Sequence, residues 1–527
     1  MRDPFRGWWV VAWALALAAC ARAVAPTPLS GVPTRPTARP AVFALPVEAG
    51  TFRLAQCPFV LPEGVREGEA VECGYLGVVE GRDGHSDATP GRVIQLAVAI
   101  FHRPGGVRHQ DPVIFLSGGP GASALEPLRY QFEVLSEPVF ETGRDLVVFD
   151  QRGVGLSRPA LDCPVYDELD LELLDRQIDG RTVSDDEAAE MYLNATRTCR
   201  DELAAVADLS AYHSAASAAD VEDLRRALGY AKVNLWGGSY GTRLALEVMR
   251  RFPQSVRSVV LDAVYPPEVD LYVQAPANFE RALNRLFDAC AANTICAAAH
   301  PNLRDDFFAT VEGLNAEPVV LETEDPITGD LQRTWMNGNT LLALTFQLLY
   351  DSRLRYLLPE QFEAARLGDF RVFERVLVAL TERSRLSSRG MMLSVQCHEE
   401  VAFSSFDALQ AELGRHPLIA AMYPNSILGG LAYRACSEWG AGRAEPSANE
   451  PVSSDIPTLL MTGEFDPITP PAWGQQAAAH LAHAYFYEYP GVGHGASALP
   501  GCPQQMFVAF LEDPHSPPHD ACMASMR

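Results

Sequence analysis

Short apolar runs alternate with stretches of helical spacing through the first half of the chain. Residues 92–101, 112–116, 146–150, 233–236 and 256–261 read as strands, while 215–228 and 242–251 place apolar side chains at helical intervals. Alternation of this kind predicts an α/β fold, a mainly parallel sheet with helices on both faces. From about residue 266 to 449 strand signals nearly vanish and helical periodicity takes over, as in 277–291 and 341–349. Sheet character returns at 456–463, with a last strand at 484–489. The block between is therefore expected to be an inserted, mostly helical cap.

Length and composition sharpen this picture in three places. At 527 residues the chain exceeds what one such sheet domain needs, which fits an insertion. A net charge of −25 argues against nucleic-acid partners and against electrostatic docking on anionic lipid. The N-terminus reads as a targeting segment: Arg2 and Arg6 precede an apolar stretch, 7–19, that is too short to span a bilayer. It ends in Leu17-Ala18-Ala19-Cys20, where small residues lead directly into a cysteine. Two processing routes are open, a bacterial lipoprotein lipidated on Cys20 or ordinary cleavage a few residues later; the first is favoured. Residues 21–50, rich in Pro, Thr and Ala, read as an extended tether.

Setting Cys20 aside leaves ten of the eleven cysteines. They fall into sequence neighbours, Cys57 with Cys73, Cys163 with Cys199, Cys290 with Cys296, Cys397 with Cys436 and Cys502 with Cys522. In an exported protein these are expected to be disulfides, although sequence alone leaves connectivity open. No Cys or His spacing suggests zinc, and no metal or cofactor is implied.

The chemistry concentrates at three loops. The strand 233–236 runs into Gly237-Gly238-Ser239-Tyr240-Gly241 and on into a helix, the strand–turn–helix context in which a G-x-S-x-G serine is lifted above a sheet edge. A serine hydroxyl needs a base and the base an orienting acid, which on this kind of elbow follow in chain order, acid then histidine. Asp466 lies just beyond the strand 456–463, and His494 on a glycine-rich loop after the last strand. Glu464 competes for the acid role, but Asp466-Pro467 fixes a turn that presents the carboxylate. His398 competes as base, yet it precedes the acid. The third loop, Ser117-Gly118-Gly119-Pro120-Gly121, follows an early strand and can offer an oxyanion N–H from Gly119, beside one from Tyr240. A plain tight turn is the bland alternative there.

These motifs, with 146–157 (LVVFDQRGVGLS), 73–80 (CGYLGVVE), 262–267 (DAVYPP) and 463–470 (GEFDPITP), carry a resemblance. The chain resembles the prolyl and tripeptidyl aminopeptidase family of α/β-hydrolase serine peptidases, and more closely its larger secreted, tripeptidyl-aminopeptidase-like branch. The likeness runs from about residue 50 to the end and is densest in the catalytic loops. Many relatives have His before Gly-Gly-Pro-Gly, whereas this chain has Ser117, so contacts of that residue do not carry over. The resemblance implies cap-side carboxylates that bind the free α-amine of a peptide. The candidates are Glu399 first and Glu400 second, in Cys397-His398-Glu399-Glu400, with surface acids as the bland reading.

The expected division is a signal peptide at 1–20, a tether at 21–50, a hydrolase core at 51–265, a helical cap at 266–449 and the rest of the core at 450–527. The expected protein is an exported cell-envelope lipoprotein that removes one or a few residues from the free N-terminus of peptides. A carboxylesterase or lipase on the same fold is the alternative, and a non-catalytic surface-binding protein a more distant one.

Overall fold

The computed structural model describes residues 47–82, 91–324 and 331–526. The expected signal, the expected lipidation site at Cys20 and most of the expected tether therefore lie outside the described residues.

Nine strands form one sheet: β1 Phe52–Leu54, β2 Val71–Val79, β3 Val93–Phe101, β4 Val113–Leu116, β5 Leu146–Phe149, β6 Val233–Gly238, β7 Val256–Asp262, β8 Thr458–Gly463 and β9 Ala484–Tyr489. Their order is β1-β2-β3-β5-β4-β6-β7-β8-β9, antiparallel from β1 to β5 and parallel from β5 to β9. The central strands are apolar on both faces because helices cover both. Every residue of β5 and of β8 is buried. This is the α/β-hydrolase arrangement. β2 is the strand that apolar spacing conveyed least, since Gly74 and Gly77 interrupt its pattern, yet it pairs with β3 along its whole length.

Helices α1 (Leu128–Glu141), α2 (Ser214–Ala227) and α3 (Tyr240–Arg251) flank the sheet. The insertion opens with α4 (Leu271–Ala292), whose N-cap Asp270 accepts from Val273 N–H at 3.1 Å. It continues through α5 (Gly338–Tyr350) and α6 (Arg389–Glu399), among other helices, and α7 (Cys502–Glu512) is the last α-helix of the described residues. One departure from the helical expectation is a hairpin of Val319–Glu324 with Leu331–Met336. Its strands are six residues each, too short for periodicity to declare, and Val319 and Leu321 pack against the helical core of the insertion.

That second core matters for the site. Tyr272, Phe279, Leu283, Phe346 and Leu349 of the insertion pack in one cluster with Phe465, Ile468 and Trp473, which flank Asp466. The insertion thus grips the acid loop. Five disulfides join the sequence neighbours Cys57–Cys73, Cys163–Cys199, Cys290–Cys296, Cys397–Cys436 and Cys502–Cys522. The fourth ties α6 to the helix Gly430–Trp439.

Candidate active site

Ser239 sits between β6 and α3 with φ 55° and ψ −124°, a left-handed conformation that costs a non-glycine residue about 1–3 kcal/mol. The turn persists because its surroundings over-determine it: Ser239 N–H donates to Asp262 O at 2.9 Å, and Thr242 Oγ1 donates to Ser239 O at 2.6 Å. Gly241 is required by close approach, since a Cβ there would lie 2.0 Å from Leu116 O. The result is a half-buried serine at the N-terminus of a twelve-residue helix, where first-turn N–H groups have no partner within the helix.

Asp466 is fully buried, and each of its oxygens is committed. Oδ1 accepts from Ile468 and Thr469 N–H, both at 2.9 Å, and Oδ2 accepts from Thr469 Oγ1 at 2.6 Å. His494 Nδ1 lies 2.8 Å from Asp466 Oδ2, so the carboxylate holds Nδ1–H and leaves Nε2 as the basic nitrogen. Nε2 is buried and has no hydrogen-bond partner among the described residues, Ser239 Oγ included. In unliganded enzymes that bond commonly tightens only when substrate binds. The Tyr350 ring lies 4.0 Å from the imidazole, and Tyr350 O accepts His494 N–H at 2.9 Å. Thr469, which also approaches His494 Nδ1 at 3.1 Å, escaped the sequence reading although it lies three residues after the acid.

The rivals are engaged elsewhere. Glu464 accepts Gly491 N–H at 2.9 Å and pairs with Arg285. His398 stacks on His213 at 4.4 Å and bonds Ala441 O at 2.7 Å. Both histidines line a cavity of about 460 Å3 that reaches none of Ser239, Asp466 or His494.

The Gly118-Gly119 loop lies directly against the nucleophile, for a Cβ on Gly118 would sit 3.0 Å from Ser239 Cβ. Gly119 N–H has no partner among the described residues, and Tyr240 is the first residue of α3. Two residues of the 146–157 segment brace this loop. Gln151 Nε2 donates to Ser117 O at 2.9 Å, and Asp150 accepts Ala124, Leu125 and Leu156 N–H and the Ser123 hydroxyl. Burial pushes the Asp150 carboxyl up to about 6 despite those donors.

The two cap-side glutamates stand in different situations. Glu399 is saturated: its oxygens accept Ser214 N–H at 3.1 Å and the Ser214 hydroxyl, and it pairs with Arg243 Nε at 3.5 Å. Glu400 is 7% exposed, and its carboxylate makes no hydrogen bond of ordinary geometry; the Tyr265 hydroxyl lies close enough to favour its charged form, and the Tyr272 hydroxyl is unpartnered among the described residues. Burial drives the Glu400 carboxyl up to about 7, with Arg243 opposing and Glu399 reinforcing. The cluster adjoins the reaction centre on two sides. Tyr265 N–H donates to Thr242 Oγ1 at 2.7 Å in the first turn of α3. The Tyr265 ring stacks on Trp473 at 5.6 Å, in the helix after the acid loop. A buried carboxylate with so little hydrogen bonding costs several kcal/mol unless a ligand completes it.

Comparison with known proteins agrees with this geometry. Residues 111–309 match the α/β hydrolase fold family, and residues 429–522 match the family described as TAP-like protein. The serine protease Hip1 of Mycobacterium tuberculosis is 26% identical over 452 residues, which cover 81% of this chain and 83% of that protein. The chain is an α/β-hydrolase whose C-terminal part is TAP-like. The tripeptidyl aminopeptidase of Streptomyces coelicolor is 30% identical over 206 residues, 38% of this chain and 36% of that one. Carboxylesterase B of M. tuberculosis is 27% identical over 237 residues, 44% of this chain and 45% of the esterase. The chain is accordingly a serine hydrolase. Among the described residues, no helix is long and apolar enough to cross a membrane.

Proposed function

We propose that this serine hydrolase is an exopeptidase that releases one or a few residues from the free N-terminus of peptides. Ser239 attacks the scissile carbonyl, His494 takes its proton and returns it to the leaving amine, and Asp466 fixes the imidazole. The Gly119 and Tyr240 amides receive the negative charge that develops on the carbonyl oxygen. The observation that carries the exopeptidase reading is the buried Glu400 carboxylate, which lacks a hydrogen bond of ordinary geometry and has the Tyr265 and Tyr272 hydroxyls beside it. A primary ammonium is the group that suits it, with one positive charge and three donors. Glu399 then acts indirectly, holding Arg243 and Ser214 beneath the ammonium site.

The insertion at 266–449 is the part that restricts entry, since it carries α6 with Glu399 and leads directly into Glu400. A lipid on Cys20 and the tether at 21–50 keep the enzyme at the cell envelope. Cys20→Ala should then release it from membranes or block processing, and a wild-type protein wholly soluble with its N-terminus beyond residue 20 would contradict this anchoring.

Likeness to a carboxylesterase keeps an ester-cleaving reading in play. A panel of chromogenic amides with free and acetylated N-termini, alongside p-nitrophenyl esters, separates the two. The exopeptidase reading expects kcat/KM for the free amides to exceed that for the acetylated ones by about a hundred-fold or more, the weight of an unpaired buried charge. Equal rates on both, with faster ester cleavage, would favour the esterase.

A further inference from the structure

We infer that Asp262, at the C-terminal end of β7, is a positioning residue that locks the histidine loop to the nucleophile elbow and electrostatically supports the imidazolium. This rests on Ser239, Asp466 and His494 being the catalytic triad.

The contacts converge from both sides. The Asp262 main-chain oxygen accepts Ser239 N–H at 2.9 Å. Its side chain, 3% exposed, reaches the loop just after His494: Oδ1 accepts Ala496 N–H at 2.8 Å, and Oδ2 accepts Ser497 N–H at 2.8 Å together with the Ser497 hydroxyl. Ser497 Oγ in turn accepts Trp236 Nε1–H at 3.2 Å, from the strand that carries the elbow. One residue therefore fixes the backbone of the nucleophile and the backbone beyond the base. The next residue, Ala263, is held at φ 59°, an unfavourable conformation for a side chain with a Cβ, and its N–H is tied to Met461 O at 2.9 Å.

Both Asp262 oxygens accept N–H donors, which an amide with a single acceptor oxygen could not do, so a carboxylate and its charge are buried here. No arginine or lysine pairs with Asp262 among the described residues. Burial raises its carboxyl above the ordinary value, while the three donors and the charge of His494 pull the other way. The ionisable groups that face it are His494 and, on β9, Tyr489, whose hydroxyl is pushed up by burial and then by Asp262. His494 itself faces Asp466, Asp262 and the Tyr350 ring. Positive charge forms on the imidazole as it takes the serine proton, and Asp262 is a second fixed negative charge placed to favour it.

The test is p-nitrophenyl acetate hydrolysis by the full enzyme, which needs no amine site, with active sites counted from the acyl-enzyme burst. Asp262→Asn should lower kcat per titrated site about ten- to a hundred-fold while KM stays within about two-fold. The acidic limb of its pH–rate profile should move to lower pH, because the lost carboxylate favoured the protonated base. Ser497→Ala, which keeps the charge and removes one donor, should cost about three- to ten-fold and leave the limb in place. Asp262→Asn with unchanged kcat, or with reduced kcat and an unmoved limb, overturns the inference. If Asp262→Asn fails to fold, an unimpaired Ser497→Ala overturns it. A Ser239→Ala variant that keeps the burst overturns the triad instead and the inference with it.

Discussion

Replacing Glu400 with glutamine should make the protein more stable and less active, and both effects can be sized. Burial lifts the Glu400 carboxyl from the ordinary 4.5 to about 7. A carboxyl raised in the folded state binds its proton more tightly there than in the unfolded chain, so its charge opposes folding. The penalty is absent below about pH 4.5, grows through the interval and is complete above about pH 7, where 2.5 units correspond to about 3 kcal/mol. Glu400→Gln removes that charge with nearly the same shape. It should raise Tm by several degrees at pH 8 and leave it unchanged near pH 4. Activity should move the other way, since a substrate ammonium left without its carboxylate loses about 2–4 kcal/mol, or about thirty- to a thousand-fold in kcat/KM on free-amine peptides. Esters lacking an amine should be spared. In the wild type, kcat/KM for free-amine peptides should carry an extra acidic limb near pH 7 that esters do not show, because the free enzyme must give up the Glu400 proton to bind the cation. Scanning calorimetry at two pH values and a peptide–ester pair of kinetic profiles read all of this. A variant with no stability gain at pH 8, or with equal losses on peptide and ester, would refute the reasoning.

Other substitutions test neighbouring parts of the account. Glu399→Gln should harm peptide and ester cleavage alike and lower Tm, because it leaves the buried Arg243 without its carboxylate; a selective loss on peptides would return the ammonium to Glu399. Ser239→Ala should abolish turnover, measured as kcat, with an unchanged circular-dichroism spectrum; retention of even a few per cent of activity would contradict the triad. Thr469→Val removes the hydroxyl that bonds Asp466 Oδ2 and approaches His494, and should reduce kcat about ten-fold with KM nearly constant. Replacing Cys397 and Cys436 with serine opens a 39-residue link and should cost about 2–4 kcal/mol in denaturant unfolding, with the ammonium site loosened first.

The parts legible in the sequence were those with local signatures. β4 to β9 announced themselves as apolar runs, and Ser239 by a glycine pattern that steric closeness dictates, as the contact of Gly241 with Leu116 O illustrates. Asp466 and His494 followed from chain order after strands, since a loop at a strand end is where the sheet delivers a side chain. What stayed hidden depends on contacts between distant segments. Glu399 and Glu400 are adjacent and chemically alike, and only the approach of Ser214 and Arg243 decides which carboxylate is satisfied. Asp262 read only as the first residue of the 262–267 motif beyond a strand, because its partners lie 234 and 235 residues away. The hairpin at 319–336 was lost for another reason: two six-residue strands inside a helical block give too little pattern.

The most direct test of the central claim is the order in which products leave a peptide. A twelve-residue peptide with a free N-terminus, incubated with the enzyme and followed by mass spectrometry, should shorten stepwise from that end. The same peptide acetylated should remain intact, and Ser239→Ala should leave both untouched. Internal fragments at early times, or equal shortening of the acetylated peptide, would contradict an exopeptidase that reads the amine through Glu400.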